Sequence, residues 1–411
     1  MLNKNQEREL AYVVLIDGIE PIPGYDRVEH AIVGGWRVIV QKDQFKVGDP
    51  AIYFEIDSRV PSDKECFAFL EKRNYKVKTL KMCKTISQGL LMHARDFGWD
   101  VCGVGAGGQK TQQGIVEQDG TLHMPNDESR FLTQKLGVTY ADEEDNARKA
   151  APIDKYKKMT QRRPHIFKQP WARWMMRHEW GRKVMFFFFG KKKDKKNGWP
   201  SWVQKTDEER IENMPFVLQN KDPWIVTEKV DGSSTTFTMR RGKFKKKDFY
   251  VCSRNVCLDS VDKPCYYDTN IYWEMAQKYH MFEVLSKLLD FMPAAEWVTI
   301  QGETYGEGVQ RNTYGLNSHD FMAFNLITSD KGRWNSCDMK NLLENRFNIP
   351  CVPILDAKYI LPDTVEELRA YVNSQPSTIN GEIKEGIVCR SPDGIHSFKC
   401  VSPEYLLKYH S

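Results

Sequence analysis

A strand-like run that begins at Trp224-Ile225-Val226 ends in Glu228-Lys229-Val230-Asp231-Gly232-Ser233-Ser234, so a lysine and a carboxylate flank a point where the chain must turn. Asp-Gly is a turn dipeptide between extended segments, which puts Lys229 at a strand end and Asp231 in the bend. An exposed lysine beside a surface turn is the ordinary product of such a pattern. A chemical reading is also open. A primary amine can attack the α-phosphorus of a nucleoside triphosphate and hold the nucleotide as a phosphoramidate, splitting one hard transfer into two easier ones. The amine must be neutral to attack, and a lysine of pKa about 10.4 needs roughly 4 to 5 kcal/mol of help to be neutral at pH 7. Such a lysine therefore requires unusual neighbours.

Candidate neighbours follow in order. Ser253-Arg254-Asn255 comes after a strand-like Phe249-Tyr250-Val251-Cys252; then come Ile300-Gln301-Gly302-Glu303, Phe321-Met322-Ala323-Phe324-Asn325, Lys384-Glu385-Gly386-Ile387-Val388 and Ser397-Phe398-Lys399. In this order the segments resemble motifs I, Ia, III, IIIa, IV and V of the covalent nucleotidyltransferases, the superfamily of RNA ligases, DNA ligases and mRNA capping enzymes. The resemblance covers about the last 200 residues.

The resemblance implies an α+β fold, in which an ATP-grasp-like nucleotidyltransferase domain of antiparallel sheets with flanking helices carries Lys229 as nucleophile. It also implies that Asp231, Glu303 and Glu385 share the lysine's pocket. Direct contact with carboxylates would raise the lysine pKa, the wrong direction for a nucleophile. The conflict disappears if they hold the waters of a hydrated Mg²⁺ or Mn²⁺, which keeps much of its water shell and binds phosphate oxygens. The cation would depress the lysine pKa and stabilise charge on the α-phosphate. Lys399 adds positive charge beside the same phosphate. Arg254 offers a planar fork for phosphate, and Gly232 belongs with the nucleotide-binding turn. By position Phe324 matches the aromatic that stacks on the nucleobase, its other reading being a core aromatic. Glu228 is a candidate for the base edge or else a solvated strand residue. Two departures stand out: Asn325 where relatives often have Asp after the aromatic, and Ser397 and Val401 where a second motif V lysine could stand.

Upstream, Gly34–Val40 and Ala51–Asp57 read as strands joined by Lys46-Val47-Gly48-Asp49-Pro50, which has hairpin turn residues. Short strands at this spacing suggest a small barrel. Along Tyr75–Lys81, alternation places Lys76 and Lys78 on one face, as a solvated strand or a phosphate contact. The expected domains are 1–127, OB-like; 128–198, a helical and basic linker with an aromatic insert; and 199–411, nucleotidyltransferase. The chain stops at Ser411, soon after motif V, and the order of OB-like domain first, ligase domain last resembles the fifth family of RNA ligases. Lys205-Thr206-Asp207-Glu208-Glu209-Arg210 looks like a segment that precedes the nucleophile in that family, making Lys205 a phosphate-contact candidate. As pure chemistry it could be a helix start capped by Thr206 or Asp207.

Between Lys155 and Lys196 fifteen Lys and Arg face only Glu179 and Asp194, although the whole chain has a net charge of +5. Trp171-Ala172-Arg173-Trp174-Met175-Met176-Arg177-His178-Glu179-Trp180 has amphipathic helical spacing, and Phe186–Phe189 and a lysine cluster over 191–196 follow. The reading preferred for this segment is aromatics packed on one domain and cations on phosphate. A membrane-surface helix and a nuclear-localisation patch are the alternatives. Length and interspersed charge exclude a membrane span. The ten cysteines show no Cys-x-x-Cys pair, so free thiols are expected, with Cys252 and Cys257 as packing residues. From the polar, charged run Met1–Glu9 no signal peptide is expected, and an intracellular monomer is expected, cytoplasmic or nuclear.

The function expected is an ATP-dependent RNA ligase: Lys229 takes AMP from ATP, passes it to an RNA 5′-phosphate, and a 3′-hydroxyl displaces it. Nicked duplexes, including RNA–DNA hybrids, are the expected ends. A capping-type guanylyltransferase or a non-catalytic RNA-binding protein on a ligase fold are the alternatives.

Overall fold

The structure is a computed structural model describing residues 1, 3, 7–104, 112–141, 166, 169–178, 181, 182, 184, 185, 199–205, 207–242, 246–254, 256–258 and 270–409. Thr206, Asn255, Phe186–Phe189 and the lysine cluster at 191–196 lie outside the described residues. Met1–Thr139 and Gly198–Ser411 form one compact unit, and Tyr140–Asn197 form another.

Near the N-terminus a pair of three-stranded antiparallel sheets shares one core. One runs Ala11–Leu15, Pro50–Phe54, Leu90–Met92; the other runs Gly18–Ile22, Tyr25–Val33, Trp36–Gln41. Trp36, Val38 and Val40 alternate inward along their strand and meet Tyr12, Tyr53 and Leu91 from the facing sheet. Gly34 and Gly35, with φ of 52° and 82°, make the two-residue turn that lets Val33 pair with Trp36.

The hairpin expected across Lys46–Pro50 is not present. The turn chemistry is real, for Gly48 has φ 90° and the Lys46 N–H donates to Asp49 Oδ2 at 2.8 Å. Yet the two strands it joins lie in different sheets. Every residue of Pro50–Phe54 is buried, which suits the middle of a sheet between two partners, whereas Trp36–Gln41 alternates and buries one face. The run expected as a strand over Tyr75–Lys81 is also irregular at its start: Tyr75 has φ 57°, Lys76 makes one bridge to Arg59, and the strand proper is Leu80–Met82. Val77 is buried while Lys78 is exposed, so alternation survives without a ladder.

The C-terminal region is built on a five-stranded and a six-stranded sheet. The five-stranded sheet is ordered Glu209–Arg210, Ser397–Val401, Gly386–Arg390, Trp224–Lys229, Ile354–Tyr359, and the six-stranded sheet is ordered Cys257–Leu258, Lys247–Cys252, Ser233–Arg241, Trp297–Gly306, His319–Thr328, Gly332–Arg333. The six-stranded sheet buries Phe237, Ile300, Phe321 and Leu326 against the helices Ile271–Lys278, Met281–Phe291 and Ser336–Phe347. The five-stranded sheet packs Trp224, Val226, Ile387 and Phe398 against Val365–Asn373. That helix starts in a capping box, Thr364 accepting from the Glu367 N–H and Glu367 from the Thr364 N–H. Val230-Asp231-Gly232 is the short crossing from one sheet to the other. Gly232 is required there, because a Cβ would lie 2.4 Å from the Thr304 carbonyl oxygen.

Within Tyr140–Asn197, Pro170–Arg177 is helical with proline in its first turn. Ala172 and Met185 are buried there, with Ile166, Met175 and Met176 packed against them. Trp171 and Trp174 are each 52% exposed. The three-residue spacing puts both on the face opposite Ala172 and Met176, which is already covered. Among the described residues no helix is long and apolar enough to cross a membrane.

Candidate active site

Lys229 is the last residue of its strand, and the crossing that follows brings residues of both sheets around its amine. Its Nζ donates to Glu385 Oε2 at 2.7 Å, from a side chain 24% exposed to one 12% exposed. Glu385 stands just before the strand Gly386–Arg390, whose first residue pairs with Lys229. Glu303 comes from the other sheet, on the strand Trp297–Gly306 opposite Ser234. Asp231 sits in the crossing itself. Its Oδ2 accepts from Tyr405 Oη at 2.8 Å and its N–H donates to Tyr314 Oη at 2.9 Å. Gly232 offers its carbonyl to Gln310 Nε2 at 3.0 Å.

The electrostatics of this cluster are mutual. Burial alone would lower the Lys229 pKa, but Glu385, Glu303 and Asp231 together outweigh it and hold the ammonium above its ordinary range. Burial raises Glu303; Lys229 opposes that, and the negative charges of Glu385 and Asp231 add to it, leaving it at about 8. Glu385 is raised by burial too, partly offset by Lys229. Lys399 is pushed down to about 8 by burial, then by the positive charges of Arg210 and Lys229. Three carboxylates and two amines thus share a poorly solvated space. Among the described residues no three His, Cys, Asp or Glu side chains converge to ligate one metal directly.

Glu303 gives a pH-dependent stability of predictable sign. Its native pKa of about 8 lies above its ordinary 4.5, so between those values the folded chain holds a proton that the unfolded chain has lost. The stabilisation is complete below the ordinary pKa and disappears as pH rises through about 8. Melting curves at pH 5 and pH 8 should therefore show a larger loss for the wild type than for Glu303→Gln. Parallel behaviour of the two proteins would remove Glu303 as the cause.

The remaining predicted positions distribute around this centre. Glu228 is 1% exposed and accepts from the Thr378 N–H at 2.9 Å, from Thr378 Oγ1 at 2.6 Å and from Ser377 Oγ. A solvated strand residue is thereby excluded for it, since the Ser377–Thr378 loop occupies its oxygens. Phe324 packs with Val230, Tyr305 and Val352, close to Tyr314 and Ile379. Lys399 pairs in register with both Val388 and Arg210. Arg254 is further out, half exposed, with Nη2 2.8 Å from Asp207 Oδ2, and Lys205 is exposed. The helix start read at Thr206-Asp207 does not form downstream: Glu209–Arg210 is a short strand parallel to Ser397–Val401, leading into a 3-10 turn at Ile211–Asn213. Glu208 accepts a long contact from Arg390 Nη2 at 3.4 Å, and these tertiary partners outweigh the local capping pattern. Asn325 is buried and donates to Gln301 Oε1 at 3.0 Å, whose own amide donates to the Gln204 carbonyl. It braces that segment. Cys252 and Cys257 are buried register partners on either side of the Arg254 turn, as free thiols.

Sequence reading missed Tyr405, Tyr314, Ser377, Thr378, Arg210 and Lys384. The first four act through hydroxyls in loops or a terminal helix, where sequence carries no chemical signature. Lys384 had a signal, standing next to Glu385. It is 2% exposed and its Nζ has no hydrogen-bond partner among the described residues. Burial lowers its pKa against the pull of Glu228.

Residues 222–410 match the RNA ligase family, and residues 10–94 match an OB-fold domain family. No curated protein matches the chain. Among solved structures, Naegleria gruberi RNA ligase with pyrophosphate aligns at TM-score 0.65 and 26% identity, over 98% of this chain and 99% of that one. A variant of that ligase with ATP and manganese aligns at TM-score 0.65 and 26% identity over 98% of this chain and 100% of that one. Another, with AMP and manganese, aligns at the same score and identity over 98% and 99%. With an OB-fold domain ahead of the ligase domain and solved ligases aligned along nearly its whole length, the chain belongs to the RNA ligases of the nucleotidyltransferase superfamily.

Proposed function

We propose that this RNA ligase works through a lysyl-AMP intermediate at Lys229 and seals RNA ends, with nicked duplexes as its preferred substrate. It is an ATP-dependent enzyme: its family is that of RNA ligases, and solved relatives hold ATP or AMP with manganese. The observation that carries the mechanism is the Lys229–Glu385 contact at 2.7 Å inside a ring completed by Glu303, Asp231 and Lys399.

Glu385 holds Lys229 as an ammonium in the free protein and, with its raised affinity for protons, is the acceptor at hand when the amine is deprotonated. Neutral Nζ attacks the α-phosphorus of ATP; the bond from that phosphorus to the bridging oxygen breaks and pyrophosphate leaves. The donor set suits a hydrated Mg²⁺ or Mn²⁺ held through water by Asp231, Glu303 and Glu385, because three clustered carboxylates, one forced to about 8, leave negative charge for a cation to neutralise. Such an ion, when bound, lowers the lysine pKa and neutralises phosphate charge. Lys399 places a second positive charge at the α-phosphate, and Tyr405 and Tyr314 hold Asp231 in place. Phe324 stacks on the base, Glu228 and Gly232 frame the nucleotide, and Arg254 and Lys205 contact phosphate. An RNA 5′-phosphate oxygen then attacks the lysyl-AMP phosphorus and frees the amine. A 3′-hydroxyl finally attacks the 5′-phosphate and AMP departs.

Incubation with α-labelled ATP should label the protein, and labelled GTP should not. The charged protein should seal nicked duplexes whose 3′-hydroxyl strand ends in RNA faster than single-stranded RNA or all-DNA nicks. Labelling by GTP alone would move the chain to capping chemistry, and equal sealing of all three substrates would remove the nick preference.

A further inference from the structure

The helix Pro170–Arg177 turns two tryptophans to solvent. Trp171 and Trp174 are each 52% exposed and sit three residues apart on one face, where exposed Arg177 and His178 also lie. A tryptophan so exposed leaves about 100 Å² of aromatic surface in water. The helix does not need them for its own packing, because Ala172, Met175 and Met176 make the inward face with Met185 and Ile166.

Charge says what would cover them. Between Lys155 and Lys196 fifteen Lys and Arg meet two acids, and outside that segment 45 basic residues face 53 acidic ones, a net of −8. Apart from its candidate catalytic pocket, the chain's basic excess belongs to the stretch of sequence that carries the tryptophans. Aromatic faces with interspersed cations are the elements that bind single-stranded nucleic acid: bases stack on the rings and cations follow the phosphates. A lipid surface fits less well. An interfacial helix turns its apolar face outward, whereas here the methionines and Ala172 point into their own core.

We propose that Trp171 and Trp174 form a stacking platform for unpaired bases of the RNA substrate, with exposed Arg177 on the same face holding phosphate. The assignment of RNA as the polyanion rests on the ligase reading. The platform lies outside the residues that carry out chemistry, so it acts on capture of the RNA and leaves nucleotide transfer to Lys229 untouched.

The test uses the full chain as wild type, as the Trp171→Ala/Trp174→Ala variant and as the Trp171→Phe/Trp174→Phe variant. Binding is read by fluorescence anisotropy at fixed salt, with labelled single-stranded RNA and with abasic RNA of equal length, which keeps the phosphates and lacks the bases. The alanine variant should lose about ten-fold or more in affinity for RNA, change little toward abasic RNA, and keep its ATP-dependent labelling. The phenylalanine variant should recover most of the loss, which excludes a folding defect. Unchanged RNA binding by the alanine variant overturns the platform, as does an equal loss on abasic RNA. With phosphatidylserine vesicles as a third ligand, a loss confined to the vesicles also overturns it and would make the face a membrane contact. Absence of labelling in the wild type would count against the ligase reading alone, because RNA binding is read independently of it.

Discussion

Lys229→Ala is expected to abolish covalent attachment of AMP, lowering acid-labile, alkali-stable labelling by on the order of 10⁴-fold or more. In the proposed mechanism this amine forms the bond to phosphorus, and alanine offers no nucleophile in its place. Lys229→Arg should fail as completely, because a guanidinium keeps its proton at every accessible pH. The alanine variant should still fold: Glu385 loses its cation, but a carboxyl already raised by burial can take up a proton. Thermal melts of both variants near that of the wild type, with no label on either, are the expected pair of results. Persistent label on Lys229→Ala would place the nucleotide on another residue, with Lys399 the next to examine. Ligation of a pre-adenylylated RNA by Lys229→Ala should survive, since that last step needs no lysyl intermediate.

The largest stability effect is expected from Arg369→Ala. Arg369, on the helix Val365–Asn373, places Nη2 2.6 Å from Oε1 of Glu212, and both side chains are buried. Glu212 lies in the turn Ile211–Asn213 that follows the strand Glu209–Arg210, which runs beside Lys399. One ion pair therefore fastens the helix to the segment leading toward the site. Glu212 Oε2 and Arg369 Nε have no partner among the described residues, so the pair is incompletely satisfied even when intact. Removing the arginine strands a buried carboxylate and should cost about 3–5 kcal/mol, read as a lower urea midpoint. The double substitution Arg369→Met/Glu212→Leu should lose far less, because no charge is left buried and the volume is filled. If the single and double variants were equally unstable, packing of the arginine stem and not the charge would be the reason.

Much of the proposed catalytic centre is legible because each member carries a chemically distinctive side chain in or beside a strand. Lys229 and Lys399 lie on strands of one sheet, Glu385 immediately precedes the strand between them, and Glu303 arrives from the other sheet. Glu228 was only half readable. Its identity marked it as a candidate, but that two hydroxyls and one N–H of Ser377–Thr378, some 150 residues away, would fill its oxygens is a property of the fold. The segment after Lys205 shows the same limit from the other side. Its acids and hydroxyls fit a helix cap, yet Arg390 for Glu208 and the edge of the Ser397–Val401 strand for Arg210 decide for an extended path. The hairpin read at Lys46–Pro50 failed because a turn signal fixes a local reversal and says nothing about which strands pair beyond it. Trp171 and Trp174 show a related limit: periodicity tells which residues share a face, and not which face is covered.

The order of side chains along the chain already supplies its chemistry: a lysine followed by Asp-Gly, three carboxylates, a second lysine, and a basic segment set in an otherwise acidic chain. These are covalent properties of side chains and their order. It took the fold to bring Glu385, 156 residues from Lys229, into contact with it, to seat Tyr405 on Asp231 and to turn Trp171 and Trp174 to water. Distances and burial of this kind arise from strand pairing and packing across long stretches of chain, where each contact depends on where the others have already placed the backbone.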